Sequence, residues 1–226
     1  MYRKLDDAAL SRMLEAGIDE FALHGLDRAS MSAIAARAGI SVGVIYKYYE
    51  DKDSFFLACV RHSLELLDAT LRDAVSEGQS VSECMERIVF ALIRASREHP
   101  SYNVMYNEIS SGSCRKYAEV LAHEIESGTA EIYKAMLEKA AKSGEIAGDI
   151  DPGMFAFFFD NLLMMLQFSY SCGYYRERMR IFCGADADND EKIAREFTRF
   201  MTGALGTGSL NNIRSEEREE SEWNMS

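Results

Sequence analysis

Hydrophobic residues in the first quarter of the chain repeat at three- and four-residue intervals, the spacing of amphipathic helices. The first run extends from Met13 to Phe21 and stops at Gly25, a residue suited to a helix C-terminus. A second run begins after Ser30, whose hydroxyl can cap a helix, and ends at Gly39. Ser41 can cap a third, short helix. The pattern therefore predicts three helices with a tight glycine turn between the second and the third.

The third helix is predicted to have an inner and an outer side. Ile45 and Tyr49 lie one helical turn apart, so both are expected to point into the core. The residues expected on or beside the solvent-facing side are Gly43, Val44, Tyr46, Lys47 and Tyr48.

The rest of the chain also shows helical rather than alternating periodicity, and only two prolines interrupt it. A long fourth helix is expected after Asp51, and further helices at about 81–98, 101–110, 116–143, 152–175 and 190–205. The prediction is an all-α fold of about nine helices. It divides into a three-helix helix-turn-helix domain over residues 1–53, a second helical domain over residues 54–206, and a disordered acidic tail over residues 207–226.

The formal net charge of −12 argues against a protein that binds polyanions indiscriminately. Residues 1–61 carry eight basic and nine acidic side chains, so almost all of the excess negative charge belongs to the rest of the chain. Any contact with nucleic acid must therefore come from a locally arranged surface.

Cysteine usage and hydropathy point to the cytoplasm. The five cysteines are scattered without a CxxC pair, as reduced thiols are. The most apolar run, Met154 to Phe168, is interrupted by Asp160, Asn161 and Gln167 and is too short to span a bilayer. We therefore expect no membrane segment.

A helix, a glycine turn and a short second helix form the arrangement that presents a helix to the major groove of DNA. Tyr46, Lys47, Tyr48 and Lys52 supply hydroxyl and ammonium donors of the kind that hold phosphate oxygens. Gly43 allows close approach to a base edge or sugar. Helical hairpins of this shape also occur in proteins that never touch DNA, so the geometry alone leaves the function open.

The side chains make the pattern more specific. The stretch from Met13 to Phe56 resembles the N-terminal domain of the tetracycline-repressor (TetR) family. The matching positions are Phe21 and Gly25, Ser30-Met31, Ile34-Ala35, Ala38-Gly39-Ile40-Ser41, and Gly43, Ile45, Tyr46, Tyr48, Tyr49 and Lys52.

This resemblance implies a recognition helix over about Val42 to Tyr48. Positions matching Val42, Gly43 and Lys47 would face bases or nearby sugars, and those matching Tyr46, Tyr48 and Lys52 would hold phosphates. The full predicted set of DNA-binding residues is Ser30, Arg37, Val42, Gly43, Val44, Tyr46, Lys47, Tyr48 and Lys52.

Two positions depart from the family pattern. Val44 and Ala29 stand where the family commonly has hydroxyl residues, so two phosphate hydrogen bonds are expected to be missing. Arg37, Arg3 and Lys4 are candidates to replace them.

The resemblance also implies that residues 54–206 bind a ligand and form a homodimer. The loop from Gly144 to Pro152 is similar to the one that precedes the family's dimer-forming eighth helix, and the apolar run after it covers nearly every face of a helix. A monomer core is the other interpretation of this run. The predicted interface residues are Phe155, Phe158, Phe159, Leu162, Leu163, Leu166, Met201 and Leu205.

A small-molecule pocket among the middle helices is likewise implied by the family. Aromatic and sulfur-containing side chains suit such a pocket, although each is also an ordinary core residue. The candidates are Tyr102, Met105, Tyr106, Glu108, Tyr133, Asn161, Met164, Met165 and Phe168, of which Glu108 and Asn161 are the polar residues expected to orient a ligand.

The predicted function is a DNA-binding transcriptional regulator, a repressor released from a palindromic double-stranded DNA operator by a small-molecule effector. An enzyme is the first rival, but the four histidines are far apart and no catalytic, metal-binding or cofactor-binding motif is present, so no catalytic residue, metal or cofactor is expected. The second rival is a helical ligand-binding or protein-interaction module that does not bind DNA.

Overall fold

The computed structural model describes residues 5–75, 80–109 and 112–206, and within these ranges the chain is all-helical, as predicted. The first four helices are α1 (Asp7–Arg28), α2 (Met31–Ala38), α3 (Val42–Tyr48) and α4 (Lys52–Ala74). The others are α5 (Val81–Glu98), α6 (Pro100–Ile109), α7 (Ala118–Lys142), α8 (Pro152–Ser171), α9 (Gly173–Cys183) and α10 (Asp190–Ala204). Short 3₁₀ helices cover Gly112–Tyr117 and Gly184–Asp188. The proposed tail and the residues Arg3 and Lys4 lie outside the described residues.

Side-chain caps fix most of the helix starts. Ser30 accepts a hydrogen bond from the backbone of Ala33 at the start of α2, and Asp151 caps α8 ahead of Pro152. Capping boxes begin α4, at Asp51, and α5. Ser41 stands at the N-cap of α3 with extended backbone, but its hydroxyl makes no capping bond, so α3 is held by packing instead.

Gly25 ends the continuous helical run of α1, as predicted. Its backbone is non-helical, with φ +70° and ψ 169°, and a last turn that ends at Arg28 follows this kink. The other predicted stop, Gly39, has the left-handed conformation expected after a helix, with φ +70° and ψ 30°.

Two hydrophobic cores share α4. The first packs α1, α2 and α3 against the beginning of α4, and Met105 of α6 and Leu121 of α7 complete it. The second lies among α5, α7, α8 and α10, and it receives Leu71 and Ala74 from the end of α4. Helix α1 is therefore packed against α6 as well as α4.

One predicted helix, 152–175, is two helices in the structure. The backbone is extended at Cys172, where α8 ends, and α9 follows immediately. The sequence pattern missed α9 because none of its residues is fully buried and Met179 only borders the second core, so its apolar stripe is weak. None of the described helices is long and apolar enough to cross a membrane.

The crossing of α1 and α4 depends on Gly17. A Cβ atom at this position would lie 2.6 Å from Sγ of Cys59 and 2.7 Å from the Phe55 ring, whereas a Cβ at Gly128 in α7 would meet nothing within 4 Å. We expect Gly17→Ala to lower the free energy of unfolding by roughly 1–3 kcal/mol, since it overpacks the core. Gly128→Ala should raise it by roughly 0.5–1 kcal/mol, because alanine favours the helix. Urea unfolding of the two variants checks this, and equal stabilities would contradict the proposed crossing.

Candidate nucleic-acid interface and internal cavity

The short helix α3 lies on the surface and is anchored by one side chain. Ile45 is completely buried, whereas Gly43, Tyr46 and Lys47 are exposed. Val42 and Val44, together with Tyr48, are half-buried. The side of α3 that was predicted to face solvent is therefore available to a partner.

Two of the predicted phosphate-binding residues also hold the domain together. The hydroxyl of Tyr48 accepts a hydrogen bond from the backbone N–H of Leu5, at 2.7 Å. The ammonium group of Lys52 donates to the carbonyl oxygens of Asp27 and Ala29, at 2.8 and 3.4 Å, and so closes the end of α1. Tyr48 keeps its own proton to donate, and Lys52 keeps one N–H for another acceptor.

Ser30 and Arg37 have internal partners as well. The backbone N–H of Ser30 donates to Glu20, and Arg37 pairs with Asp19 at 3.0 Å. About half of each side chain in the Arg37–Asp19 pair is exposed, so the pair is screened and contributes little stability. Asp19 also accepts a hydrogen bond from Ser101 of α6, at 2.7 Å.

A cavity of about 410 Å³ lies between α7 and α8 and is closed on one side by α6. Four of the predicted pocket residues line it: Tyr106, Tyr133, Asn161 and Met164. The sequence prediction missed its charged residues, Glu126, Lys134 and Asp160. The available signal was Asp160, a carboxylate inside the most apolar run of the chain.

The other five predicted pocket residues do not line this cavity. Helix periodicity could not separate them, because residues that line a cavity and residues that fill a core have the same spacing along a helix. Met105 is buried in the first core, and Tyr102 donates a hydrogen bond to Glu15. Phe168 packs its ring against Tyr106 and Tyr175. Glu108 faces Gly25 of α1, and Met165 borders a surface groove beside α9 and α10.

Some polar groups of the cavity have hydrogen-bond partners and others do not. The hydroxyl of Tyr106 donates to Glu126 at 2.7 Å, and burial together with this carboxylate raises the pKa of Tyr106. Asp160 makes no hydrogen bond or ion pair within the described ranges, and burial, with the nearby charge of Glu126, raises its pKa to about 7. Tyr133 is 1% exposed, and its hydroxyl also lacks a hydrogen-bond partner among the described residues.

Most of the predicted dimer-interface residues are inside the subunit. Five of the eight belong to its second core, namely Phe155, Phe159, Leu163, Met201 and Leu205. Phe158 and Leu162 are exposed, and Leu166 is half-buried. The sequence could not separate these groups, because α8 is apolar on nearly every face.

An exposed apolar strip was not foreseen in full. Leu162 of α8, Phe182 of α9 and Phe200 of α10 are exposed and border one groove. Phe158, also exposed, lies one helical turn before Leu162 on α8. We call Phe158, Leu162, Phe182 and Phe200 the C-terminal apolar strip. Exposed clusters of this kind mark sites of association.

The first core and the cavity are connected through α6. Tyr102 and His62 both contact the carboxylate of Glu15 in α1, the second through Nε2 at 3.1 Å. Tyr106, one turn after Tyr102, lines the cavity. Helix α6 is therefore in direct contact with both α1 and the cavity.

Residues 13–59 match the family model of bacterial regulatory proteins of the tetR family. The chain is 25% identical over 142 residues to the HTH-type transcriptional repressor KstR2 of Rhodococcus jostii, covering 62% of this chain and 69% of that protein. The fatty acid degradation regulator FadR of Bacillus halodurans has a similar structure, with a TM-score of 0.71 and 16% identity over 87% of this chain and 99% of that one. FadR of Bacillus subtilis in complex with stearoyl-CoA gives a TM-score of 0.70 and 14% identity over 88% and 98%. At these identities the two structures establish a shared fold.

The isolated carboxyl group of Asp160 should make stability depend on pH. Its pKa is about 7 in the folded chain, whereas an unfolded aspartate titrates near ~3.9. The folded state therefore keeps a proton that the unfolded state loses, and stability falls as the pH rises between these two values. Asp160→Asn should raise the free energy of unfolding at pH 8 by roughly 1–3 kcal/mol, with a smaller gain at pH 5.

Unfolding by urea at the two pH values measures this effect. The matched control is Asp149→Asn at an exposed position, which should change little at either pH. A gain from Asp160→Asn that is the same at pH 5 and pH 8 would show that the carboxyl group is not the cause.

Proposed function

Because the chain belongs to the tetR family of bacterial regulatory proteins, we propose that it is a repressor that binds a palindromic operator as a homodimer and leaves it when a small molecule binds. The observation that carries the proposal is the exposed α3 on a packed helix-turn-helix, linked through α6 to a cavity in the same subunit. The stearoyl-CoA bound to FadR of Bacillus subtilis supports an effector for this fold.

DNA binding rests on α3 and its flanks. Val42, Gly43 and Lys47 are the proposed contacts to bases or nearby sugars, and Tyr46 is the most accessible of the proposed phosphate donors, at 46% exposed. Tyr48 and Lys52 bind phosphate with the donors that their internal bonds leave available. Ser30, Arg37 and Val44 border this surface. The acidic remainder of the chain limits non-specific binding to DNA.

A dimer must place two copies of α3 about one DNA turn, ~34 Å, or a modest multiple apart. The C-terminal apolar strip is the proposed contact between subunits, because it is an exposed apolar surface to which α8, α9 and α10 all contribute. A twofold arrangement would pair this strip with its own copy.

Release from the operator follows from the position of α6. The helix carries Tyr106 at the cavity and Tyr102 on Glu15 of α1, while Ser101 at its start binds Asp19. A ligand that favours one position of α6 thereby favours one position of α1 and one spacing of the paired recognition helices. Ligand and operator must then weaken each other's binding by the same factor.

The DNA-binding surface can be tested with one hydroxyl. Operator fragments are first selected from genomic DNA with the purified protein, and affinity is measured by fluorescence anisotropy. Tyr46→Phe should weaken operator binding by about 1 kcal/mol, or roughly fivefold, because a phosphate hydrogen bond is lost. Tyr174→Phe, at an exposed position of α9, is the matched control and should bind as the unaltered protein does.

Two results would count against this surface. Equal affinity of both variants would assign Tyr46 a packing role only. Selection of no DNA at all would favour the alternative of a helical module without DNA binding.

The dimer contact can be tested by charge. Leu162→Glu places a carboxylate in the C-terminal apolar strip, and we expect the protein to become monomeric in light scattering and to lose at least tenfold in operator affinity. Leu23→Glu, at an exposed position of α1, is the control for the same chemical change and should remain dimeric. A dimeric Leu162→Glu variant would place the subunit contact elsewhere.

A further inference from the structure

The cavity between α7 and α8 has an acidic interior. Asp160 of α8 and Glu126 of α7 supply two carboxyl groups, and the charge of Glu126 acts on Asp160. The remaining wall is largely apolar and includes Ala130, Ala156 and Met164. A guest would therefore meet hydrocarbon over most of its surface and carboxyl groups in one region.

Lys134 is the only cation among the described residues that line the cavity, and it does not pair with either carboxyl group. Lys134 is exposed, and its chain lies near Gly153 at the beginning of α8. Within the described residues, no ion pair joins Lys134 to Asp160 or to Glu126. Its charge remains in solvent.

Two polar groups of the cavity have no hydrogen-bond partner within the described part of the chain. They are the half-buried carboxyl group of Asp160 and the hydroxyl of Tyr133. A ligand that donates hydrogen bonds at this place would satisfy both groups, whereas a purely apolar ligand would not.

We propose that the cavity binds a small amphipathic cation, a protonated amine on a hydrocarbon or aromatic body, with its nitrogen between Asp160 and Glu126. The ammonium group donates to Asp160 and to the free lone pairs of Glu126, and the amine's third proton is placed to reach the hydroxyl oxygen of Tyr133. The body lies against Ala130, Ala156 and Met164. The role of this cation as the effector rests on the proposed function, whereas its binding to the cavity does not.

The charge preference is tested with pairs of probes that differ only in their head group. Decylamine is compared with decanoate, and phenylbutylamine with phenylbutyrate, by calorimetry on the full chain without DNA at pH 8. We expect at least one amine to bind at least tenfold more tightly than its carboxylate partner. Asp160→Asn should remove most of that preference, and the exposed control Asp149→Asn should keep it.

A second readout is the pH dependence of amine binding. The titratable groups that face the cavity are Tyr106 of α6, Glu126, Tyr133 and Lys134 of α7, and Asp160 itself. Because the pKa of Asp160 is about 7, its ionised fraction rises roughly tenfold between pH 6 and pH 8, and amine affinity should rise with it. Asp160→Asn should abolish this rise.

The outcomes separate the two proposals. Carboxylates that bind as tightly as both amines, or an amine preference that survives Asp160→Asn and Glu126→Gln, would overturn the cationic ligand. An amine that binds as expected but leaves operator affinity unchanged would support the site and overturn its role in release from DNA. Operator binding that is intact while neither amine binds would overturn the site and leave the DNA-binding function standing.

Discussion

The contact of α1 with α6 is the constraint on which the rest of the structure depends. Met105 of α6 is buried in the core of the first three helices, and Tyr102 donates a hydrogen bond to Glu15 of α1. The first three helices therefore do not form a complete hydrophobic core of their own, because Met105 of α6 belongs to that core. Helix α6 lines the cavity and packs against α1, α1 packs against α2, and α2 packs against α3. A contiguous series of packed helices therefore joins the cavity to the surface of α3.

The sequence was most informative where local rules and burial agree. Ser30, Gly39 and Ile45 each had a specific capping, turning or packing reason, and the structure has α2 and α3 at those places. The family resemblance added a role for the outer side of α3. The sequence was least informative in α8, where apolar residues on every face could not distinguish Phe159, in the core, from Phe158, in solvent. Whether each of these two residues is buried depends on packing against distant helices, which the spacing of apolar residues along α8 does not reveal.

The cavity illustrates a different limit. Aromatic and sulfur-containing residues were the expected lining, yet Met105 fills a core while Asp160 and Glu126 give the cavity its chemistry. A carboxyl group in an apolar helix destabilises the fold unless it has a partner, so its presence in α8 is the more specific mark of a binding site. The carboxyl group of Asp160 lowers the stability of the fold but provides a group that can bind a ligand, a conflict that is common at binding sites.

Helix α9 is short, and most of its surface is exposed to solvent. An isolated helix of eleven residues is marginal in water, and α9 fully buries none of its residues, although Tyr175 and Met179 are half-buried against the same subunit. Tyr174, Ile181 and Phe182 leave most of their apolar area in solvent. Any molecule that covers these side chains would stabilise the helical state of this segment, by mass action, as its concentration rises. Dilution would affect this segment before it affects either core.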